Sequence, residues 1–248
     1  MVPLENANRK IDIAELKTAC SNCSLRELCM PMGLSLEELE QLDELVYTRR
    51  RLKRGESLYR AGDPFVALYP IRSGFFKTRL TFNDGRDQVT GFYMAGELLG
   101  MDGISVDTHS CDAVALEDSE ICMIPYARLE TLSQEIKSLQ RHFHKVMSRE
   151  IVRENGVMML LGTMRAEERL AAFLLNVSQR LQVRGYSALE FHLRMTREEI
   201  GSYLGLKLET VSRLFSRFQA EGLIEVDQRY VRIVSIEGLR AIYAHHTD

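Results

Sequence analysis

The spacing of apolar positions along the chain changes near residue 46 and again near residue 125. Leucines recur at every third position from Leu36 to Leu45 among acidic residues, which predicts a short amphipathic helix. Between Val46 and Pro125, glycines separate short apolar segments such as Ala67 to Ile71 and Gln88 to Tyr93. Many short strands joined by turns are typical of an all-β sandwich or barrel of the jelly-roll kind. Asn83 to Gly85 form its clearest predicted hairpin turn, because Asn, Asp and Gly tolerate a positive φ.

A helical pattern follows Pro125 and continues to about Leu161. Its apolar residues fall on one seam in steps of four and three residues, together with one acid: Met147, Ile151, Glu154, Met158 and Leu161. A heptad seam of this kind needs a partner helix. No second segment of the chain matches it, so we expect a homodimer in which the same helix of two copies packs in parallel. The alternative is that the stripe packs on the β domain.

The pattern of the C-terminal part of the chain predicts a winged helix-turn-helix. A helix from Ala166 to Leu181 leads into it, and Thr196 to Glu199 forms a capping box that starts the first helix of the motif. Gly205 supplies the permissive backbone for the turn. The second helix carries apolar residues inward and is followed by short strands from Leu223 to Val226 and from Tyr230 to Val234. The inward residues are Val211, Leu214, Phe215 and Phe218.

Three residues near the start of the second helix have side chains suited to reading DNA: Glu209, Ser212 and Arg213. In the major groove, arginine bonds guanine in a bidentate manner and a carboxylate accepts from the cytosine amino group. A carboxylate near phosphates is unfavourable unless it contacts a base, so Glu209 favours sequence-specific binding. The alternative is an ordinary solvated helix face.

Composition limits the possible functions. The 248 residues are enough for two compact domains, and the net charge of -3 gives no broad basic field, so any DNA contact must be local. No apolar run approaches the roughly 18 residues of a membrane helix, and no secretory signal is present, so we expect a cytoplasmic protein without membrane contact. Paired catalytic carboxylates, nucleophile elbows and phosphate-binding glycine loops are lacking from the sequence, which argues against an enzyme.

The cysteines indicate metal chemistry. Cys20, Cys23 and Cys29 place three thiols within ten residues, and a fourth thiol is available in the β domain. Four thiolates suit either zinc or an iron-sulfur cluster. Zinc sites usually pair two short Cys or His units and no second unit exists, so we favour iron-sulfur, with zinc left open. A regulator that senses a cyclic nucleotide or a haem-bound gas also stays open, as does an iron-sulfur enzyme or electron carrier.

The segments 199–206 (EIGSYLGL) and 209–213 (ETVSR) resemble the DNA-binding motif of the cyclic AMP receptor and FNR superfamily of transcription regulators. Residues 166–173 resemble its interdomain helix. This resemblance implies an α+β fold with a β-roll sensor domain, a long dimerisation helix and a winged helix-turn-helix. It assigns residues 1–35 to a cysteine-rich segment, 36–135 to the β-roll, 136–164 to the dimerisation helix and 165–248 to the DNA-binding domain. It also implies base contacts by Glu209, Ser212 and Arg213 and a palindromic double-stranded DNA site with half-sites roughly 34 Å apart.

The segment from Cys20 to Cys29 resembles the cluster-binding segment of FNR proteins, the fumarate and nitrate reduction regulators. Their fourth ligand precedes Ile-Pro at the end of the β domain, and Cys122 matches it. The resemblance implies an oxygen-labile 4Fe-4S cluster on Cys20, Cys23, Cys29 and Cys122. We interpret Cys111 as a structural thiol, and expect Ser24 and Leu28 to control oxygen access to the cluster.

Further expectations concern the signal and the output. Gly96-Glu97-Leu98 occurs in nucleotide-binding relatives, but residues 108–112 lack the arginine that pairs with the cyclic phosphate, so no cyclic nucleotide is expected. We hypothesise that the two Glu154 carboxylates repel each other across the dimer seam, and that cluster binding overcomes this repulsion. The Asn83 to Arg86 hairpin resembles a loop by which FNR proteins contact RNA polymerase.

Overall fold

The computed structural model describes residues 20, 23–25, 28–29, 33–45, 48–82 and 85–244. The turn predicted at Asn83 and Asp84 lies outside the described residues. The described helices are α1 (Leu36–Leu45), α2 (Tyr126–Glu135), α3 (Lys137–Thr163), α4 (Ala166–Val183), α5 (Arg197–Leu204), α6 (Leu208–Ala220) and α7 (Ile236–Ala244). The described strands are β1 (Thr48–Leu52), β2 (Ser57–Tyr59), β3 (Ala67–Ser73), β4 (Phe75–Thr81), β5 (Asp87–Met94), β6 (Leu98–Leu99), β7 (Asp112–Ala115), β8 (Ser119–Pro125), β9 (Glu190–His192), β10 (Ile224–Asp227) and β11 (Tyr230–Ile233).

The first eight strands form the predicted β-roll from two four-stranded sheets. One sheet has the order β1-β8-β3-β6 and the other the order β2-β7-β4-β5, with antiparallel neighbours. Gly74 makes the tight turn between β3 and β4 at a φ of 93°. A Cβ there would lie 2.0 Å from the Ser119 hydroxyl oxygen, so only glycine fits this turn. The jelly-roll prediction from glycine spacing is confirmed.

The helical pattern after Pro125 is divided into two helices rather than one. Ile136 adopts an extended backbone (φ -102°, ψ 98°) between α2 and α3, and its side chain is buried. The extended residue interrupts the helix, and the 27-residue α3 begins directly after it. At 1.5 Å per residue, α3 is about 40 Å long.

The C-terminal domain has the predicted winged helix-turn-helix order, with two elements that the sequence pattern did not reveal. Its wing is a three-stranded sheet of order β10-β11-β9. Strand β9 was missed because it has three residues and only Phe191 among them is buried. The terminal helix α7 was missed as well, although it packs extensively on α4.

One apolar core crosses from the β-roll into the C-terminal domain. Val89, Phe92 and Met94 of β5 belong to the same buried cluster as the core of the winged domain. The Phe92 ring lies 5.1 Å from the Tyr203 ring of α5, measured between centroids. Polar contacts border this core, because the Lys77 ammonium of β4 lies 2.7 Å from the Glu199 carboxylate of α5. The two domains are therefore docked against each other.

Within the described residues, no helix combines the length and apolar character that crossing a bilayer requires.

Candidate functional site

The predicted metal-binding cysteines converge on one side of the β-roll. Cys122 lies in β8, opposite Arg49 of β1, and is 8% exposed. Cys20 and Cys29 pack against the apolar cluster that contains Cys122. Within the N-terminal segment, the Cys23 amide donates to the Cys20 carbonyl at 3.1 Å. The Cys20 amide donates to the Asp43 carboxylate of α1, so this helix fixes one end of the segment.

The sulfurs are close enough to influence one another electrostatically. Burial raises the pKa of the Cys20 thiol, and the charges of Cys29, Asp43, Cys122 and Cys23 raise it further. Burial, with a further contribution from Cys23, raises the pKa of Cys122 to about 11. Thiols that oppose one another's ionisation in this way are the donors that a shared cationic metal group stabilises as thiolates.

The described residues contain no set of three or more His, Cys, Asp or Glu side chains at a spacing that could hold a metal ion. The structure therefore brings the four thiols into one region without forming a closed ligand shell. Cys111 lies elsewhere: it is buried in the separate apolar cluster between the two sheets, where its sulfur donates to the Asp102 carboxylate at 3.5 Å. The fifth thiol therefore lies apart from the region where Cys20, Cys23, Cys29 and Cys122 converge.

The two residues predicted to control access to the site differ in exposure. Ser24 is exposed, whereas Leu28 is partly buried and packs against the Gly96 turn of the β-roll. A Cβ on Gly96 would lie 2.9 Å from the Leu28 Cβ. Leu28 is thus an apolar side chain held against the β-roll.

The thiol region also contacts the long helix α3. The buried His142 ring bonds to the backbone of Cys29, and burial lowers its pKa. Met147, the first residue of the predicted seam, packs on the same apolar cluster as Cys20 and Cys29. Sequence reasoning missed His142 and Asp43 as neighbours of the thiols, because nothing in their local sequence indicates this contact.

Three of the remaining seam residues face outward along α3. Ile151 is 58% exposed and Met158 is 64% exposed, and Glu154 is exposed between them. Leu161 is partly buried and approaches Gly205 of the helix-turn-helix. An apolar stripe on one helix face is therefore open to a partner.

The DNA-reading element folds as its local sequence predicts. The Thr196 hydroxyl accepts from the Glu199 amide at 3.1 Å, and the Glu199 carboxylate accepts from the Thr196 amide at 2.6 Å. Gly205 ends α5 in the left-handed region at a φ of 63°. The four predicted inward residues of α6 are all buried. The capping box, the turn and the core face are confirmed.

The predicted base-reading side chains lie on the outer face of α6. Glu209 is in the first turn, and Glu209, Ser212 and Arg213 are all exposed. Farther along, the Arg217 guanidinium pairs with Glu221 at 2.7 Å and with Glu167 at 3.1 Å. The N-terminal half of α6 thus presents an acid, a hydroxyl and a guanidinium to solvent, at the positions where a recognition helix meets base edges.

Comparison with known families matches both parts of the chain. A family model for the Crp-like helix-turn-helix domain matches residues 168–242. A model for the cyclic nucleotide-binding domain matches residues 49–135.

Similar proteins span nearly the whole length. The transcriptional regulatory protein btr of Bordetella pertussis is 49% identical over 94% of this chain and 97% of its own length. The fumarate and nitrate reduction regulatory protein of Salmonella typhi is 40% identical over 99% of this chain and 98% of its own. Among solved structures, FixK2 from Bradyrhizobium japonicum is 28% identical, with a TM-score of 0.73 over 79% of this chain and 96% of its own.

These relatives are named as transcription regulators, and the matched domains are regulatory and DNA-binding rather than enzymatic. Regulators with this helix-turn-helix bind DNA and are typically dimeric. Full-length similarity, the β-roll, the long helix and the exposed face of α6 lead to one conclusion: the chain belongs to the FNR group of the Crp/FNR family of transcription regulators.

Proposed function

We propose that the chain is an oxygen-responsive regulator of anaerobic metabolism, in which Cys20, Cys23, Cys29 and Cys122 hold a 4Fe-4S cluster. The observation that carries the proposal is the packing of Cys20 and Cys29 against the apolar cluster that contains Cys122. When bound, the cluster would connect the N-terminal segment to β8 through an oxygen-labile link. Leu28, packed on Gly96, would limit the access of oxygen and water to the cluster.

The residues of α3 connect the thiol segment to dimerisation. An anchored segment keeps the Cys29 backbone on the His142 ring and the thiol-bearing cluster against Met147. Both contacts hold the first half of α3 in place, so that its exposed stripe can pair with a second copy. Release of the segment removes this support, and repulsion between the two Glu154 carboxylates then favours the monomer.

The output we propose is binding of the homodimer to a palindromic site in double-stranded DNA. Each protomer would read one half-site through Glu209, Ser212 and Arg213, which α6 presents together. We assign the protein to the cytoplasm. We also assign the β4–β5 hairpin to contact with RNA polymerase, where the exposed Phe82 ring has the Arg86 guanidinium carbon 5.7 Å from its centroid.

The test compares wild-type protein, Cys122→Ser and the matched control Cys111→Ser, all purified without oxygen. Iron and acid-labile sulfide are measured per chain, and molar mass is measured by sedimentation before and after exposure to air. Wild type and Cys111→Ser are expected to carry about four iron and four sulfide and to form dimers that separate in air. Cys122→Ser is expected to lose the cluster and to be monomeric.

Different outcomes would contradict separate parts of the proposal. A colourless wild-type protein with stoichiometric zinc and no sulfide would exclude the cluster. A cluster that is lost in air without a change in molar mass would refute the link to dimerisation. Loss of iron from Cys111→Ser but not from Cys122→Ser would show that Cys111, rather than Cys122, is the fourth ligand.

The role of Glu154 has its own test. Removing the carboxylate should allow Glu154→Ala to dimerise in air, because the repulsion across the seam is gone. Asn155→Ala, which changes an exposed neighbour on another face of α3, is the control and should remain monomeric. An aerobic monomer for Glu154→Ala would remove Glu154 from the switch.

A further inference from the structure

Glu97 joins the β-roll to the helix that leads into the DNA-binding domain. It follows β5 in the Gly96-Glu97-Leu98 turn, and its carboxylate accepts two hydrogen bonds from the Arg180 guanidinium of α4, at 3.0 and 2.5 Å. Arg184, which directly follows α4, donates to the same carboxylate at 2.7 Å. Bidentate pairing of this kind fixes both the distance and the orientation of the partners.

The two arginines are also held by backbone carbonyls of the β-roll. Arg180 donates to the Phe92 carbonyl at 2.7 Å, and Arg184 donates to the Ala95 carbonyl at 2.6 Å. The side chains are largely withdrawn from solvent, with 18% of Arg180, 7% of Arg184 and 20% of Glu97 exposed. Burial alone would raise the pKa of Glu97, but the neighbouring arginines lower it overall, so the carboxylate is ionised at neutral pH.

The dimerisation helix reaches the same place. Arg153 of α3 lies 3.9 Å from the Glu97 carboxylate and stacks on the Tyr93 ring, 4.2 Å from its centroid. The Tyr93 hydroxyl in turn donates to the Glu150 carboxylate of α3 at 2.9 Å. The β-roll, α3 and α4 therefore meet at one carboxylate, which we call the Glu97 junction: Glu97, Arg153, Arg180 and Arg184.

We propose that Glu97 is a positioning residue for DNA binding, which sets the place of the DNA-binding domain relative to the dimerisation helix. A palindromic site requires two recognition helices at one fixed separation and rotation. In each protomer α4 precedes the winged domain, so its attachment beside α3 decides where α6 lies relative to the dimer axis. The glutamate of this turn thus binds two arginines of its own chain and orders the output domain. This role is independent of which group the thiols hold.

The test uses the full-length dimer and DNA duplexes with a palindrome selected from a random library by the wild-type protein. A second duplex carries one extra base pair between the half-sites, which changes their rotation and separation. Three variants are compared with wild type: Glu97→Gln, Arg180→Gln and the control Glu117→Gln. The control breaks another ion pair between the β-roll and the C-terminal domain, Glu117–Arg194 at 2.9 Å, whose side chains are 30% and 41% exposed.

The expected result is a loss of both affinity and spacing preference. Glu97→Gln leaves two buried guanidinium groups without their charge partner, so binding to the selected palindrome should weaken about tenfold or more. Because the domain is then less ordered, the ratio of the affinities for the two duplexes should fall towards one. A loss of folded protein alone would lower both affinities and leave their ratio unchanged. Arg180→Gln changes a side chain of α4 rather than one of the β-roll, so it tests the same contact if Glu97→Gln folds poorly.

The dimer fraction and far-ultraviolet circular dichroism are recorded on the same samples. Glu117→Gln should bind both duplexes as wild type does, because exposed ion pairs contribute little. Wild-type affinity and spacing preference in both Glu97→Gln and Arg180→Gln would overturn the proposal. An equal loss in Glu117→Gln would overturn it too, since the effect would then not be specific to the junction.

Discussion

Replacing Ile151 of α3 with alanine tests whether the exposed stripe is the dimer interface. Ile151 is 58% exposed in the single chain, although it is a large aliphatic residue on a 27-residue helix. Val152 follows it and is 67% exposed, but it points about 100° away around the helix axis. The pair therefore offers a test position and a matched control of similar chemistry, exposure and helical context.

The expected magnitude follows from the exposed fraction of Ile151. Full burial of an isoleucine side chain is worth about 2 kcal/mol. Rather more than half of the side chain remains to be buried, and a symmetric dimer buries it in both protomers, so the truncation should cost about 2 kcal/mol of dimerisation free energy. This corresponds to a dimer about thirty-fold weaker. Val152→Ala should change the dimerisation constant by less than about twofold, since that side chain stays in solvent.

Sedimentation equilibrium over a series of protein concentrations, without oxygen, measures both constants directly. The reasoning is refuted if Ile151→Ala dimerises as tightly as wild type, or if Val152→Ala weakens the dimer as much as Ile151→Ala does. Either result would mean that a different face of α3 meets the partner.

Two further predictions concern the reading helix and the cover over the thiols. Arg213→Ala should weaken the free energy of DNA binding by about 1 to 3 kcal/mol per half-site and relax the preference at one base position. Binding to a panel of single-base variants of the DNA site measures this, and a uniform loss of affinity over the panel would instead indicate a phosphate contact. Gly96→Ala should displace Leu28, because the new Cβ would lie 2.9 Å from the Leu28 Cβ, and thiol labelling of the metal-free protein should become faster. Gly62→Ala is the matched control, because the φ of Gly62 (88°) is close to that of Gly96 (86°) and no atom lies within 4 Å of the added Cβ. Equal labelling of the two variants would show that backbone strain, and not the displacement of Leu28, governs access to the thiols.

Local rules were sufficient for the helix-turn-helix. A capping box satisfies backbone amides three residues apart, and a glycine turn needs only its own φ, so Thr196, Glu199 and Gly205 could be assigned without knowledge of the rest of the fold. The periodicity of α6 likewise separated its buried face from Glu209, Ser212 and Arg213. The seam of α3 was equally visible, because residues three and four apart lie on one face of any helix.

The break between α2 and α3 was not visible in the same pattern. Ile136 continues the apolar spacing, and only its burial against the β-roll shows why the chain turns there. A position of this kind is decided by packing between distant segments rather than by local propensity.

The sequence by itself determined the two helices of the DNA-binding motif, the apolar stripe on α3 and the kind of donors available for a metal group, because each depends on residue type and short-range spacing. The tertiary structure decided which thiols meet and which charges pair. Cys111 lies directly before β7 and Cys122 lies within β8, and the two thiols face different apolar clusters, a distinction set by strand order and packing. Glu97 meets Arg180 across 83 positions of sequence, since the docking of α4 on the β-roll brings them together. No local pattern records such a contact, because its geometry arises only when both domains are folded and packed.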